Sequence, residues 1–146
     1  MKEIRPTRTG SLADVEAVHG APAHYLKRAW FDGRTRLALA KAFGLTQFGV
    51  NHTTLAPGAY SALRHWHERE DEFVFVLDGR LTVIDDNGEH EIGAGEFCAF
   101  PAGVANAHHV ANFGDRPVVV LEIGARRRED DVVHYPDDDL GPVRRE

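Results

Sequence analysis

His65 and His67 are the residues of this 146-residue chain whose type and spacing most clearly suggest chemistry. Residues two positions apart in a β-strand project from the same face, so both imidazoles would point the same way. Glu72 follows at the start of a dense β-forming run, and the charged stretch 68–71 between them is typical of a turn. Two imidazoles and a carboxylate that converge in this way suit a divalent transition metal. The alternative is a solvated strand that carries two histidines and no metal.

The length and composition indicate a soluble, globular protein with one domain. Hydrophobic residues make up 42% of the chain and charged residues 27%, and the formal net charge is −6. This negative charge argues against nonspecific binding of nucleic acid. The single cysteine, Cys98, fits a reducing compartment, and the chain has neither a signal-peptide pattern nor an apolar run long enough for a membrane span. We therefore expect a cytoplasmic protein with neither a membrane nor a nucleic-acid partner.

Turn signals divide the middle of the chain into short β-forming runs, from about Leu45 onward. Such runs, separated by turns about every 8–12 residues, predict a sandwich or barrel. The strongest hairpin signal is Asp86-Asn87-Gly88, because Asn-Gly supplies positive φ angles. The segment 23–30 could be helical, whereas 36–43 is ambiguous between helix and strand.

The spacing of these residues resembles the two motifs of the cupins, small jelly-roll barrels that hold a metal between their sheets. The first motif contains a glycine, His-x-His, a glutamate and a second glycine, matched here by Gly58, His65, His67, Glu72 and Gly79. The second contains a glycine, Pro-x-Gly, a histidine and an asparagine, matched here by Gly95, Pro101, Gly103, His108 and Asn112.

The third histidine of the pattern is the point where this sequence departs most from the family. Four residues, instead of two, separate Gly103 from His108, and the usual spacing would select Asn106. Counting back from Asn112 selects His108. Strand alternation places His108 and His109 on opposite faces. We predict that His108 is the ligand and that His109 faces outward.

The resemblance implies an all-β, single-domain cupin-type jelly-roll β-barrel with an extended N-terminal arm. We assign residues 1–44 to that arm, 45–124 to the barrel and 125–146 to a charged C-terminal tail, expected to be solvated. Val132–Tyr135 could instead add an edge strand. Cupins often dimerise by lending a terminal strand to a neighbouring sheet, so the arm is a possible swapped strand and a homodimer is expected.

The resemblance implies a site for one divalent transition metal ion, and Fe, Mn, Ni, Zn, Co and Cu all accept such ligands. Its ligands would be His65, His67, Glu72 and His108. Three neutral imidazoles and one carboxylate leave a net charge near +1, and six-coordination would leave two adjacent open positions. That charge favours a small anionic substrate. Glu122, which stands in an otherwise apolar strand, is one candidate base, and Glu72 released from the ion is another. The alternative for Glu122 is a structural ion pair with an arginine.

Three classes of function follow, of which the third is a structural β-barrel whose histidines bind metal only adventitiously. The first is a metal-dependent enzyme, either a dioxygenase or an isomerase or lyase, acting on a small organic substrate. The second is a non-catalytic module that binds or senses a small sugar-type ligand. Gln47, Asn51 and Thr53 share a strand face that would line a pocket or form an outer polar surface, and Cys98 is expected to be a small buried hydrophobe.

Overall fold

The computed structural model describes residues 7–22, 25, 27–138 and 140–144. A four-residue α-helix, α1, spans Leu39–Ala42, and 3-10 helices span Leu12–Asp14 and Arg28–Phe31. The strands are Ala17–His19 (β1), Arg34–Ala38 (β2), Phe48–Leu55 (β3), Trp66–His67 (β4), Glu72–Asp78 (β5), Arg80–Asp85 (β6), Gly88–Gly93 (β7), Phe97–Phe100 (β8), His109–Ala111 (β9), Val118–Ala125 (β10), Val132–His134 (β11) and Val143–Arg144 (β12).

The strands form one large antiparallel sheet and two small ones. The large sheet has the order β1-β2-β3-β10-β5-β8, and the small sheets have the orders β7-β6-β9 and β12-β11-β4. Strand β10 lies between β3 and β5, so segments far apart in sequence become neighbours. The all-β architecture predicted from the turn spacing is confirmed.

The core lies between the large sheet and β6 and β9, and it follows the two-residue period of the strands. Val74 and Val76 of β5, and Val118 and Val120 of β10, are buried in one cluster with Leu81, Val83 and Val110 of the smaller sheet. Full burial of one such aliphatic side chain contributes about 1.5–3 kcal/mol. The same alternation places Glu122, two residues after Val120, on the inner face of the large sheet.

Two glycines have clear structural reasons. Gly79 joins β5 to β6 with a φ of 89°, and a Cβ there would lie 2.9 Å from the carbonyl oxygen of Pro117. The predicted hairpin also forms, between β6 and β7, with Asp85 paired to Gly88. Gly88 has a φ of 116°, whereas Asn87 has no positive φ, so the glycine alone takes the left-handed conformation.

The N-terminal region is not an extended arm along its described length. Strands β1 and β2 pair with each other, and β2 pairs with β3 of the same chain, so this region widens the large sheet. The ambiguous segment 36–43 divides between β2 and α1. Tyr25 and Phe31 are buried in a second cluster with Leu63. The predicted helix 23–30 includes residues 23, 24 and 26, which lie outside the described residues, and its C-terminal end is in the 3-10 helix.

The C-terminal region is not a solvated tail along the part that the structure describes. Strand β11 pairs with β4, which carries His67, so the strand considered for Val132–Tyr135 forms at Val132–His134. It is the central strand of its sheet, however, and not the edge strand expected. Asp131 is 0% exposed and Val133 is 3% exposed. Tertiary pairing with β4 therefore outweighs the polar character of the surrounding residues. No helix in the described part of the chain is long and apolar enough to cross a membrane.

Candidate metal centre

The three histidines and the glutamate of the two motifs meet at one cavity. His65 and His108 form an isolated β-bridge, with reciprocal backbone hydrogen bonds of 3.0 and 2.8 Å. His67 follows in β4, and Glu72 is the first residue of β5 after the loop 68–71. The predicted turn thus returns the chain so that the carboxylate faces the histidines.

The donor atoms converge on the carboxylate of Glu72. The Nε2 atoms of His65 and His67 are each 3.4 Å from its Oε1 atom, and Nε2 of His108 is 2.7 Å from the same oxygen. The donor atoms of His65, His67 and Glu72 all lie within 4.8 Å of one another. The ring of Phe100 stacks on His108 at a centroid distance of 3.6 Å and limits its rotation.

The other ring nitrogen of each histidine fixes the tautomer. Nδ1 of His65 lies 2.6 Å from the carbonyl oxygen of Leu63, and Nδ1 of His108 lies 2.9 Å from that of Asn106. Nδ1 of His67 lies 2.7 Å from Oδ2 of Asp131. Carbonyl and carboxylate oxygens only accept, so each Nδ1 carries the proton and donates it. Each neutral ring therefore presents an Nε2 lone pair to the centre.

This arrangement fits a cation. Three imidazole lone pairs and a carboxylate are all acceptors, and they would repel one another unless protons or a positive ion lay between them. Burial alone would raise the pKa of Glu72, but the nearby histidines hold it well below its usual range. Burial would lower the pKa of His67, but Glu72 and Asp131 outweigh it and raise the pKa above the usual value. A divalent ion would satisfy all four groups without protonation.

Two buried carboxylates behind His67 were not found from the sequence. Asp131 holds Nδ1 of His67 and also accepts the backbone N–H of Arg69 at 3.0 Å. Glu70 is 2% exposed, with Oε1 at 3.7 Å from Nδ1 of His67, and it accepts the backbone N–H of Arg127 at 2.7 Å. Both residues belong to charged runs that look solvated in sequence. Their burial arises from pairing between β4 and β11, for which no local signal exists.

His109 does not face solvent as predicted. It is 7% exposed, and its Nδ1 lies 2.8 Å from the carbonyl oxygen of Ala62. Its ring packs against Tyr60 at 5.1 Å and Trp30 at 6.4 Å. Burial lowers the pKa of His109. The N-terminal region covers the surface that strand alternation alone would leave exposed.

A cavity of about 570 Å³ opens beside the four residues and is also lined by Glu122. Glu122 pairs with Val74 across β10 and β5, and Glu72 pairs with Gly124, so the two carboxylates are diagonal neighbours on the inner face. Such neighbours are separated by roughly 7–8 Å. Glu122 also has the arginine partner that the sequence left open, because Nη2 of Arg36 lies 2.9 Å from its Oε1 atom.

The polar residues of β3 divide between different surroundings. Asn51 lines the cavity, and the buried Thr53 hydroxyl donates to Oε1 of Glu122. Gln47, which precedes β3, instead borders a neighbouring pocket that shares Glu72 with the cavity. Cys98 is half-buried and packs against the main core. Burial, reinforced by the charge of Glu72, raises the pKa of its thiol to about 12, so the environment opposes a role as a nucleophile.

Comparison with known proteins identifies the class. A sequence model of the cupin domain matches residues 51–124, just over half of the chain, and this chain belongs to the cupin family. The resemblance carried by the two motifs is confirmed, as is the single-domain jelly-roll fold.

Similar solved structures include a sugar phosphate isomerase of the cupin superfamily from Silicibacter pomeroyi. It is 39% identical, with a TM-score of 0.84, and the match covers 93% of this chain and 90% of that chain. A putative sugar phosphate isomerase from Acidithiobacillus ferrooxidans is 37% identical, with a TM-score of 0.66, over 73% of this chain and 69% of that one.

A curated relative is the oxalate decarboxylase OxdC of Bacillus subtilis. It is 34% identical over an alignment of 91 residues, and the match covers 53% of this chain and 22% of that protein. The chain therefore spans less than a quarter of the length of this relative.

Proposed function

We propose that the protein is a metal-dependent isomerase of a small anionic sugar-type substrate. The observation that carries the proposal is the convergence of three Nε2 lone pairs on the carboxylate of Glu72 beside a cavity that contains a second carboxylate. His65, His67, His108 and Glu72 would hold one divalent transition metal ion. When bound, such an ion acts as a Lewis acid that polarises a substrate carbonyl and favours loss of the neighbouring proton.

Glu122 would move that proton. Its Oε1 atom accepts from both Arg36 and Thr53, whereas Oε2 has a longer contact of 3.3 Å with Arg36. Oε2 is thus the oxygen better placed to take a proton from the substrate. An isomerase returns this proton to the adjacent carbon, so one carboxylate can act first as base and then as acid. The diagonal separation from Glu72 leaves room for a small substrate between the two carboxylates.

The similarity to two proteins described as sugar phosphate isomerases supports the isomerase over the dioxygenase. A lyase or a dioxygenase would use the same ligands, and a non-catalytic sugar-binding protein would use the same cavity. These alternatives are distinguished by the product formed from the substrate and by whether turnover depends on oxygen.

The test is turnover in deuterated water, run in parallel with and without oxygen, with protein loaded in turn with Fe, Mn, Ni, Zn, Co and Cu. Phosphorylated aldoses and ketoses, hydroxy acids and keto acids form the panel, and proton NMR follows the products. An isomerase gives an isomeric product with deuterium at the carbon next to the carbonyl. Turnover that requires oxygen would overturn the proposal in favour of a dioxygenase, and a ligand bound but recovered unlabelled under every metal would favour a binding protein.

Variants locate the reaction. Glu122→Gln should abolish deuterium incorporation while metal binding remains, because it removes the proton acceptor without touching the metal ligands. The double variant His65→Ala and His67→Ala should lose both metal binding and deuterium incorporation. His90→Ala is the matched control, since His90 lies on β7 with a side chain that is 53% exposed.

A further inference from the structure

Arg34 is a buried cation that has no carboxylate partner among the residues that the structure describes. It is 3% exposed, and its recorded hydrogen bonds go to the carbonyl oxygens of Gly20, at 3.1 Å from Nε, and of Ser61, through Nη1. Among the described residues, no ion pair involves this side chain. Burial and the neighbouring Arg36 lower the pKa of Arg34 to about 10. A buried charge of this kind is costly unless an anion accompanies it.

Arg36 adds to the imbalance. It lies two residues further along β2 and therefore projects from the same face as Arg34. Its Nη2 atom pairs with Glu122, but Nε is buried and has no hydrogen-bond partner in the described part of the structure. Of these two neighbouring guanidinium groups in the described part of the chain, Arg36 alone has a carboxylate partner. Buried polar groups are rarely left unsatisfied, so an unpaired Nε indicates a missing acceptor.

Both arginines open onto the cavity that contains the metal-centre residues. Among the described residues that line it, five are arginines and three are glutamates, although the chain as a whole has a net charge of −6. An excess of one sign of charge in a low-dielectric cleft concentrates ligands of the opposite sign. The sheet order places β10 and β3 between β5, which carries Glu72, and β2, which carries the arginines. A substrate could therefore contact both groups at once.

We propose that Arg34 and Arg36 form an oxyanion subsite that binds the phosphate or carboxylate group of the substrate. The planar guanidinium fork matches the oxygens of such groups better than an ammonium would. The subsite deepens the proposed function, because it would hold the anionic end of the molecule while its carbonyl end meets the metal. The subsite depends on the proposed function in one respect only, namely that the anion it binds is part of the substrate.

Binding of inorganic phosphate to the full-length protein after dialysis against a chelator tests the subsite apart from the metal. Phosphate should bind and raise the melting temperature, and acetate in a parallel titration distinguishes phosphate from carboxylate preference. Arg34→Gln should weaken phosphate binding by about tenfold or more, because it removes a charge-assisted bond. Arg80→Gln should bind as the parent chain does, since Arg80 is 64% exposed and pairs with Glu91 on the outer surface.

Glu122→Gln provides a second test, in which phosphate affinity should rise instead of fall. This variant keeps the subsite testable if Arg34→Gln fails to fold. Removing this carboxylate frees Arg36, so phosphate should bind more tightly than in the parent chain. Equal phosphate affinity in the parent chain and in Arg34→Gln would refute the subsite, as would weaker binding in Glu122→Gln. Phosphate binding in metal-free protein together with no isomerase activity would retain the subsite and refute the proposed function.

Discussion

Asp131→Asn is the most informative single substitution at the metal centre. Oδ1 of Asp131 accepts the backbone N–H of Arg69, so the carbonyl oxygen of an asparagine would remain there. The amide nitrogen would then replace Oδ2, which lies 2.7 Å from Nδ1 of His67. Two donors would face each other, unless His67 shifted its proton from Nδ1 to Nε2. The substitution therefore acts on the tautomer of His67 while conserving the size and shape of the side chain.

The shifted proton would occupy the Nε2 position that faces Glu72 and the other histidines. Loss of an outer hydrogen bond to a metal-bound histidine lowers metal affinity by about 10–100-fold. This corresponds to roughly 1.4–2.7 kcal/mol of binding free energy. The effect should reach the upper end of this range, because Asp131 is 0% exposed and no water can easily replace it.

Competition with a chromophoric chelator measures the affinity, and nitrogen NMR of the His67 ring reports which nitrogen carries the proton. Asp130→Asn is the matched control, because the neighbouring carboxylate pairs with Arg127 at the surface and its side chain is 41% exposed. We expect Asp130→Asn to bind metal as the parent chain does. Unchanged affinity in Asp131→Asn, with its proton still on Nδ1, would refute the reasoning.

Three further predictions concern pH, the thiol and assembly. Metal-bound histidines must be neutral and have free pKa values of about 6.5, so stabilisation by metal should be present at neutral pH and lost as pH falls. Melting curves with and without chelator should converge near pH 5, and a difference that grows towards acid would contradict the metal site. Because burial raises the pKa of Cys98 to about 12, iodoacetamide should alkylate it at least about tenfold more slowly than a free thiol, and labelling at the rate of a free thiol would contradict this. We expect light scattering at micromolar concentration to show a homodimer. Strand β1 is an edge strand in which Val18 is 57% exposed, so Val18→Lys should weaken a dimer that forms along this edge. A monomeric mass for the parent chain would exclude the dimer.

The sequence could predict the elements whose signals are local. The apolar run around Glu122 predicts a strand, and the structure has that strand at Val118–Ala125. The His-x-His pair, the turn after it and Glu72 predict a converging donor set, and their Nε2 and carboxylate atoms do meet. These predictions succeed because strand periodicity and turn chemistry depend on a few neighbouring residues. Assignment of the metal to His65, His67, Glu72 and His108 remains a prediction.

The tertiary structure alone decided what surrounds that donor set. Asp131 lies 64 residues from His67, and Arg36 lies 86 residues from Glu122, yet each pair is in hydrogen-bond contact. In sequence, Asp131 belongs to an acidic run and Arg36 to a segment that could be helix or strand. Their contacts depend on which strands become neighbours, namely β11 beside β4 and β2 beside β3. Strand pairing of this kind is set by burial of the whole core, which no short stretch of sequence contains.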